Sequence, residues 1–274
     1  MQTVSLTAQW TAAIRALENE KGSDALFRDD LARELAQPDG FELLQRYKGG
    51  GVREFVVIRT RFFDDACAAA LREEPAIRQI VMVAAGMDTR AYRLDWPQGT
   101  KVYEVDHGEL LAEKTARLHQ IGGPSRALRL NVAADLARDW RGPLIGAGFD
   151  PSKPALWLAE GLLFFLTDEQ AGEVLSTCRA MSAMGSRLVV DMASRSLLNS
   201  PFSQIFLAAL RKDGVGWRFG TDAPEAWLKQ QGWSVLDLRE PGTADTGGRR
   251  WPYETQPREV PGVARSWLVM AVID

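Results

Sequence analysis

The sequence predicts an α/β fold in which helices cover both faces of a mostly parallel sheet. From residue 80 onward, short apolar runs alternate with segments of helical periodicity, which is the pattern typical of such a sheet. The run at residues 80–85 leads into a turn of small residues around Gly86, and a second run at residues 101–106 ends in Asp106. Before residue 75 the apolar residues recur at helical spacing, so helices are expected to precede the sheet.

Seven short apolar runs bounded by turn residues are candidate strands. They lie at residues 80–85, 101–106, 126–130, 155–160, 187–191, 234–238 and 267–273. The clearest helical patterns between them are at residues 108–118 and 168–181. Thr167 and Gln170 have the spacing of a capping box, so the second helix is predicted to begin directly after Thr167. Turns are predicted at residues 38–40 and 49–51, where glycine and proline cluster.

Two segments interrupt the alternation of strands and helices. Residues 192–225 contain several aromatic residues, and we predict that this insertion is part of a substrate cap. Residues 239–265 are rich in proline and glycine, and we predict a solvated loop there. We therefore interpret residues 1–274 as one domain, with a helical lid over residues 1–75 and a core with a cap insertion over the remainder.

Composition places the chain among globular proteins and argues against nucleic acid and membranes as partners. Of the 274 residues, 46% are hydrophobic and 25% are charged, and the net charge of −3 lacks the basic footprint of a nucleic-acid-binding protein. Cys67 and Cys178 are expected to be buried thiols in a reducing compartment. No secretory signal is visible, and the longest apolar run, residues 155–166, is too short to span a membrane. We expect a cytoplasmic protein without a membrane partner.

The turn after the first strand predicts the kind of ligand. An acid about twenty residues beyond such a turn typically binds the ribose hydroxyls of a nucleotide, and Asp106 stands at that distance from Gly86. A carboxylate can accept hydrogen bonds from both hydroxyls at once. The turn keeps only one glycine of the G-x-G-x-x-G pattern that binds a pyrophosphate. An adenosine-containing ligand without a pyrophosphate therefore fits best, which indicates S-adenosylmethionine.

Several segments resemble, in the same order, the leucine carboxyl methyltransferase family, which includes bacterial polyketide O-methyltransferases. Residues 84–94 (AAGMDTRAYRL) are similar to the family's G-A-G-L-D-T-R-A-x-R-L signature, and residues 59–65 (RTRFFDD) to its R-T-R-x-x-D segment. Further matches are Val105-Asp106, Asp135-Leu136, residues 159–163 (AEGLL) and Gly232-Trp233. The resemblance implies a class I S-adenosylmethionine-dependent methyltransferase with a Rossmann-like fold, seven strands of which the last is antiparallel, and a helical lid.

The resemblance also implies that six residues bind the cofactor, namely Arg59, Gly86, Asp106, Asp135, Leu136 and Glu160. The arginine would bind the carboxylate of the methionine moiety, the glutamate would bind its amino group, and the glycine would let the backbone approach the ligand. Asp106 would hold the ribose, and the Asp135-Leu136 pair would contact the adenine. The sequence departs from the family at Ala84, where the signature has its first glycine, and at Phe165, where a tyrosine is frequent.

These residue types suit a zwitterionic ligand, although each residue also has an alternative role that needs no ligand. Arginine binds a carboxylate through two parallel N–H bonds. Arg59 is alternatively a surface charge, and Arg61 is then the candidate for its role. Glu160 interrupts an apolar run, so it needs either a cationic ligand or an internal arginine. Asp106 alternatively caps the following helix, and Asp135 alternatively lies in a solvated loop.

The chemistry of methyl transfer depends mainly on positioning. A carboxylate acceptor is already ionised at neutral pH, whereas a phenol, with a pKa of about 10, benefits from a general base. His107 is a candidate base, with a surface position at a helix start as the alternative, and Arg195 is a candidate for steering an anionic substrate. Phe202, Phe206 and Trp217 are candidates for an aromatic slot, with ordinary packing as the alternative. No cluster of residues has metal-ligand spacing.

The sequence thus predicts an S-adenosylmethionine-dependent O-methyltransferase whose small-molecule acceptor carries a carboxylate or a phenolic hydroxyl. A polyketide-like natural product is the acceptor class that the resemblance implies. Methylation of the C-terminal leucine of a protein is one alternative. A protein that binds S-adenosylmethionine without methyl transfer, using the sulfonium structurally or electrostatically, is another. A nicotinamide-dependent oxidoreductase is disfavoured by the incomplete glycine pattern. The oligomeric state is left open.

Overall fold

The computed structural model describes residues 3–273, in which seven strands form one sheet. In chain order the strands are β1 (Gln79–Val83), β2 (Lys101–Asp106), β3 (Leu128–Ala133), β4 (Ala155–Ala159), β5 (Arg187–Ala193), β6 (Ser234–Arg239) and β7 (Ser266–Val272). Their order across the sheet is β3-β2-β1-β4-β5-β7-β6. Strands β1 to β5 pair in parallel, whereas β7 runs antiparallel to both β5 and β6. The predicted mostly parallel sheet with an antiparallel last strand is confirmed.

Helices precede and connect the strands. In chain order they are α1 (Thr3–Asn19), α2 (Ala32–Arg46), α3 (Val52–Glu73), α4 (Arg90–Arg93), α5 (Gly108–Ile121), α6 (Arg141–Gly146), α7 (Asp168–Ala180), α8 (Arg195–Asn199), α9 (Gln204–Lys212) and α10 (Pro224–Gln230). Helix α7 begins where its capping box predicts. The Gln170 backbone N–H donates to Thr167 Oγ1 at 3.2 Å, and the Thr167 N–H donates to Gln170 Oε1 at 3.0 Å.

The register of the central strands determines which residues meet at their carboxyl ends. Val83, the last residue of β1, pairs with Val105 of β2, so the turn that follows β1 lies beside Asp106. The predicted first strand ends two residues early, at Val83, because Ala84 adopts a left-handed conformation with φ of +59°. Every residue of β1 and β4 is buried, as expected for strands that are covered on both faces of the sheet.

Two local predictions are wrong. The third strand, predicted at residues 126–130, is Leu128–Ala133, because it pairs with β2 as far as Ala133 and its partly exposed edge position weakens the apolar pattern. The turn predicted at residues 38–40 lies within α2, where the backbone breaks at Gln37, with φ of +55°, and the helix resumes at Pro38. Proline is tolerated there because the first turn of a helix needs no N–H donor.

The cap insertion, residues 192–225, packs on the lid. It includes α8 and α9, and the ring of Phe206 in α9 stacks on Trp10 of α1 with centroids 5.9 Å apart. The same ring makes an edge contact with Tyr47, which immediately follows α2. The insertion therefore packs one side of its helices against the lid, while residues such as Phe202 and Ile205 remain exposed.

Residues 239–265 are only partly the predicted solvated loop. Residues 252–262 are almost all exposed, but Trp251 is half-buried and packs edge-on against Tyr253. Tyr253 in turn packs edge-on against Phe202 of the cap insertion, with centroids 4.6 Å apart. The aromatic contact crosses about fifty residues of sequence, so local composition could not indicate it.

The predicted state of the cysteines is confirmed, since Cys67 and Cys178 are both free and buried. Burial raises the pKa of the Cys67 thiol to about 12, so it is protonated at neutral pH. Among the helices of residues 3–273, none is long and apolar enough to cross a membrane.

Candidate active site

A cavity of about 660 Å³ lies at the carboxyl ends of β1, β2 and β4. Open α/β sheets bind ligands at this edge, and the volume is that of a small-molecule site. The turn at residues 84–88, Asp106 and Glu160 line it from the sheet. Ala8 and Thr11 line it from α1, so the first helix forms one side of the cavity.

Asp106 and Gly86 lie together at the floor of the cavity. The Asp106 carboxylate is 6% exposed and accepts hydrogen bonds from the Gly86 N–H at 2.8 Å and the His107 N–H at 2.7 Å. It is not the cap of α5, whose N-cap residue is His107. Gly86 has φ of +49°, and a Cβ atom there would lie 3.3 Å from the Ala8 side chain. The glycine therefore lets α1 approach the turn closely.

Arg59, and not Arg61, lines the cavity. The Arg59 side chain is buried, and its Nε and Nη1 donate to Glu160 and Asp191, each at 3.0 Å. Arg61 is half-exposed and donates to Asp65 on the same helix, outside the cavity. The geometry leaves Nη2 as the group of Arg59 with which it could bind a further anion.

Glu160 is held by two internal arginines. Its Oε1 accepts from Arg59, and its Oε2 accepts from Arg90 Nη1 at 2.6 Å. Burial opposes ionisation, but the guanidinium groups of Arg90 and Arg59 outweigh it and lower the pKa of Glu160. The glutamate is therefore ionised, and its unused lone pairs remain available to a cation in the cavity.

Arg90 was not predicted as a site residue, although it lies within the segment that carries the family resemblance. The Arg90 side chain is 2% exposed and contacts three carboxylates, those of Asp64, Asp88 and Glu160. The Asp64 contact, from Nε, is 2.7 Å long. Arginine is mostly exposed in proteins, so a buried arginine with three partners is not expected from local sequence. Of the three partners only Asp88 is close in sequence, two residues earlier. Its ion pair with Arg90 is therefore the one that the local sequence could have indicated.

These contacts extend into a continuous network of nine charged side chains, which we call the charged wall. Its carboxylates are those of Asp29, Asp64, Asp88, Glu160 and Asp191, and its guanidinium groups are those of Arg15, Arg59, Arg90 and Arg93. Five acids against four bases leave one negative charge in excess when all are ionised. An uncompensated buried charge is costly, so the charged wall is suited to a cation in the cavity.

Asp191 was also not anticipated. It is fully buried in β5, and it accepts hydrogen bonds from Arg59 and from the Gly161 N–H at 2.7 Å. Burial raises the pKa of this carboxyl to about 6, against the opposing effect of Arg59. Asp88 behaves in the opposite way, because Arg90 and other nearby cations outweigh its burial and lower its pKa to about 2.

Asp135 and Leu136 also line the cavity, just after the end of β3. The Asp135 side chain is 44% exposed, and its Oδ1 accepts a hydrogen bond from the Ala137 N–H at 2.9 Å. Leu136 is half-buried against the apolar core. The pair therefore presents a polar and an apolar group to the same end of the cavity.

The opposite side of the cavity, which we call the aromatic wall, consists of five rings in contact. They are those of Trp10, Phe55, Phe164, Phe206 and Trp217. The closest pair is Phe164 and Trp217, stacked at 4.1 Å between centroids with planes 12° apart. The two walls meet where the guanidinium of Arg59 lies 5.5 Å from the centroid of Phe55.

The other predicted site residues are distributed unevenly. His107, Phe206 and Trp217 line the cavity, whereas Phe202 and Arg195 do not. Arg195 lies outside the cavity, because its guanidinium is engaged elsewhere: it donates to the Gly220 carbonyl at 3.0 Å and pairs with the exposed Asp168.

Two arginines absent from the prediction line the cavity from the cap insertion, namely Arg211 and Arg218. Both are exposed, and neither forms an ion pair within residues 3–273. In the same part of the chain no group of three or more histidine, cysteine or acidic side chains could hold a metal ion.

The chain is similar to known sequences. The family model described as leucine carboxyl methyltransferase matches residues 8–179. A protein of Mycolicibacterium gilvum named as an S-adenosyl-L-methionine-dependent methyltransferase is 39% identical over 225 residues, which cover 77% of this chain and 74% of that protein. A protein of Mycolicibacterium smegmatis named in the same way is 36% identical over 261 residues, which cover 90% and 80% of the two chains.

Solved structures share the fold. A DUF574 family protein from Streptomyces avermitilis matches with a TM-score of 0.68 at 14% identity, covering 98% of this chain and 97% of that one. A protein from Thermobifida fusca named as a methyltransferase matches with a TM-score of 0.62 at 18% identity, covering 97% and 94%. Magnesium protoporphyrin IX methyltransferase from Synechocystis, with bound S-adenosylmethionine, matches with a TM-score of 0.51 at 13% identity, covering 90% and 99%.

Proposed function

The chain belongs to the leucine carboxyl methyltransferase family, and from this premise we propose that it methylates an acidic oxygen of a small-molecule acceptor. It is an S-adenosylmethionine-dependent methyltransferase with the Rossmann-like class I fold, as the sequence predicts. The acceptor oxygen is that of a carboxylate or a phenol, and the acceptor class is polyketide-like. The observation that carries the proposal is the meeting of a charged wall and an aromatic wall in one cavity.

The charged wall supports a place for the methionine end of the cofactor. S-adenosylmethionine has one positive charge in excess, because its sulfonium and ammonium outnumber its carboxylate, and the wall has one negative charge in excess. Glu160 would accept hydrogen bonds from the ammonium, and Nη2 of Arg59 would donate to the carboxylate. Gly161, with φ of +67°, carries no side chain that would displace Arg59, since a Cβ atom there would lie 3.0 Å from Nη1.

Asp106, Asp135 and Leu136 would hold the nucleoside. Asp106 already accepts two backbone N–H bonds, so its carboxylate is fixed in position before a ribose hydroxyl reaches it. Leu136 would pack on the adenine, and Asp135 would accept from its amino group. We propose these roles together with Gly86, whose missing side chain leaves room beside α1.

When bound, S-adenosylmethionine supplies a methyl group whose bond to sulfur breaks, with the electron pair left on sulfur, as the acceptor oxygen forms its bond to the carbon. The chain's part is to align the two reactants and to exclude water, which in general contributes roughly 7–11 kcal/mol to a reaction of this kind. His107 is the imidazole that lines the cavity and would accept a proton from a phenol. A carboxylate, with a pKa of about 4, requires no base.

Arg211 and Arg218 favour an anionic acceptor. They line the cavity from the cap insertion, whereas the lining acids, Asp88, Asp106, Asp135 and Glu160, all follow strands of the sheet. An exposed guanidinium without an ion-pair partner is free to bind a carboxylate through two N–H bonds. These two arginines, and not the predicted Arg195, would therefore steer an anionic acceptor into the cavity.

The test is methyl transfer from S-adenosylmethionine carrying a labelled methyl group to a panel of aromatic carboxylic acids and phenols. We expect labelled ester or ether, with one S-adenosylhomocysteine formed for each methyl group transferred. A base-labile product identifies a carboxylate acceptor, and a stable product identifies a phenol. Asp106→Ala should abolish turnover at low cofactor concentration, and Glu109→Gln, an exposed acid on α5, should not.

Three results would overturn the proposal. Transfer of the label to a peptide with a C-terminal leucine, but to none of the small acids, would establish the protein-directed activity instead. Tight binding of S-adenosylmethionine that is recovered intact after incubation with every acceptor would indicate a structural or electrostatic role for the sulfonium. A folded wild-type protein that binds no S-adenosylhomocysteine would remove the cofactor assignment from this cavity.

A further inference from the structure

A second cavity, of about 260 Å³, lies beside the first. Phe202 and Ser203 line it from the cap insertion, and Trp251, Tyr253 and Ala264 line it from the segment at residues 239–265. Both segments depart from the alternation of strands and helices, so the sheet itself contributes little to this cavity. Its rim is apolar and accessible, since Phe202 is 47% exposed and Tyr253 is 40% exposed.

The two cavities border on the same four side chains, Val52, Phe55, Phe206 and Trp217. Three of these belong to the aromatic wall, so the two cavities are neighbours along that wall and Trp217 borders both. The Trp217 indole Nε1 is buried and has no hydrogen-bond partner among residues 3–273. A buried donor without a partner is costly, which indicates that a ligand or water completes its environment.

The second cavity is preformed by close backbone contacts. A Cβ atom at Gly51 would lie 2.7 Å from the Tyr253 ring and 3.1 Å from the Trp251 ring, and Gly51 has φ of +68°. A Cβ atom at Gly242 would lie 2.4 Å from Trp251. Two glycines therefore allow the two rings to lie directly against the backbone. Aromatic side chains held in this way form a rigid binding surface with little entropy to lose when a ligand arrives.

We propose that the second cavity binds the apolar, fused-ring portion of the acceptor whose acidic oxygen is methylated in the first cavity. The inference rests on the proposed function, and it adds which substrates are selected: flat polycyclic acids or phenols are preferred over single-ring ones. Flat rings are the occupants that Phe202, Trp251 and Tyr253 accommodate by stacked or edge contacts, each worth a few-fold in affinity. An acceptor that occupies both cavities would lie against Trp217, whose indole Nε1, unpaired within residues 3–273, is a hydrogen-bond donor at the junction.

The test compares anthracene-2-carboxylate with benzoate, using calorimetry on wild type, Trp251→Ala, Phe202→Ala and the cavity-filling variant Ala264→Trp. We expect the two alanine variants to weaken anthracene-2-carboxylate binding roughly two- to tenfold, since each removes one aromatic contact. The filling variant should weaken it further. Benzoate binding should not change, because a single ring fits the first cavity alone. Leu236→Ala, which removes an exposed side chain from β6 outside both cavities, is the matched control.

Binding of S-adenosylhomocysteine, measured on the same samples, separates this inference from the proposed function. All four variants should bind it within twofold of wild type, because the residues changed lie outside the charged wall, and this also shows that the variants are folded. Unchanged anthracene-2-carboxylate affinity in all variants would overturn the second-cavity inference, even if methyl transfer is observed. Absence of binding to wild type that binds S-adenosylhomocysteine would do the same. Variant-sensitive binding without any methyl transfer would instead count against the proposed function and leave the binding site established.

Discussion

The charged wall and the aromatic wall satisfy their polar groups in different ways. In the charged wall every guanidinium contacts a carboxylate, and the contacts join α1, α3, α4 and β5 with three loops. In the aromatic wall the indole Nε1 atoms of Trp10 and Trp217 are buried without a partner in the described part of the chain. The charged wall retains one negative charge in excess, whereas the aromatic wall retains indole donors that are unpaired within residues 3–273. Under the proposed function, cofactor binding and acceptor choice therefore depend on different groups of residues.

The largest effect is expected where the charged wall is broken at its centre. Arg90→Met removes the cation that three buried carboxylates share, and leaving buried charges unpaired typically costs 3–5 kcal/mol. We expect the free energy of unfolding, measured by urea titration, to fall by about that amount. Arg61→Met, which removes an exposed arginine, should change it by no more than about 0.5 kcal/mol. Equal effects of the two substitutions would mean that the charged wall has no special part in stability.

The pH dependence of stability tests the balance of charge in the same wall. The pKa of Asp191 is about 6 in the folded protein and about 4 in the unfolded chain, so the folded state binds this proton more tightly. Its contribution to stability is present below pH 4 and is lost as the pH rises through 6. The difference in unfolding free energy between wild type and Asp191→Asn should therefore fall by about 2 kcal/mol from pH 4 to pH 7.

Asp65→Asn, at an exposed acid outside the charged wall, is the control for that experiment. A wild-type advantage over Asp191→Asn that grows with rising pH would contradict the prediction. It would mean that Arg59 stabilises the ionised carboxylate more than burial destabilises it.

Cofactor affinity should respond to the floor of the cavity and not to the aromatic wall. Under the proposed function Asp106→Ala removes the carboxylate that would accept bonds from the ribose hydroxyls, and we expect a loss of about 1.5–3 kcal/mol, or roughly 10- to 150-fold in the dissociation constant. Calorimetric titration with S-adenosylhomocysteine measures it, with Glu109→Gln as the control. Phe206→Leu, on the aromatic wall, should leave S-adenosylhomocysteine binding unchanged. If it weakened that binding as much as Asp106→Ala does, the two walls would not act independently.

The smallest effect concerns the turn that supports Gly86. Ala84 has φ of +59°, a conformation that costs a residue with a Cβ atom roughly 1–2 kcal/mol and costs glycine none. Glycine loses more backbone entropy on folding, so Ala84→Gly is expected to raise the free energy of unfolding by only about 0.5–1 kcal/mol. Ala85→Gly, one residue later and without positive φ, should lower it. Thermal unfolding of the two variants side by side decides the matter, and a loss of stability in both would show that Ala84 is not strained.

Much of the fold could be predicted because its signals are local. The apolar runs, the capping box at Thr167 and the acid at the end of β2 each lie within a few residues of one another in sequence. The methyltransferase family and its cofactor followed from motifs of the same short range. The third strand was placed wrongly because an edge strand is only half-covered, so its apolar pattern is weak.

The candidate site was predictable only in part. Arg59 and Glu160 were predicted as ligands of the cofactor, and in the tertiary structure they contact each other although they are 101 residues apart in sequence. Arg90 and Asp191 were not predicted as site residues. Their partners Glu160 and Arg59 are 70 and 132 residues away in sequence. Charges at such separations give no periodic signal, because their pairing depends on which strand ends become neighbours.

The fold class, the family and the cofactor could be predicted from the chain alone, because hydrophobic periodicity, turn residues and short motifs occupy consecutive positions. The charge pairs, the lining of the cavity by Arg211 and Arg218, and the second aromatic cavity became visible only in the folded molecule. Burial and ion pairing are properties of packed surfaces. They arise when the strand order β3-β2-β1-β4-β5-β7-β6 brings distant side chains within a few ångströms of one another.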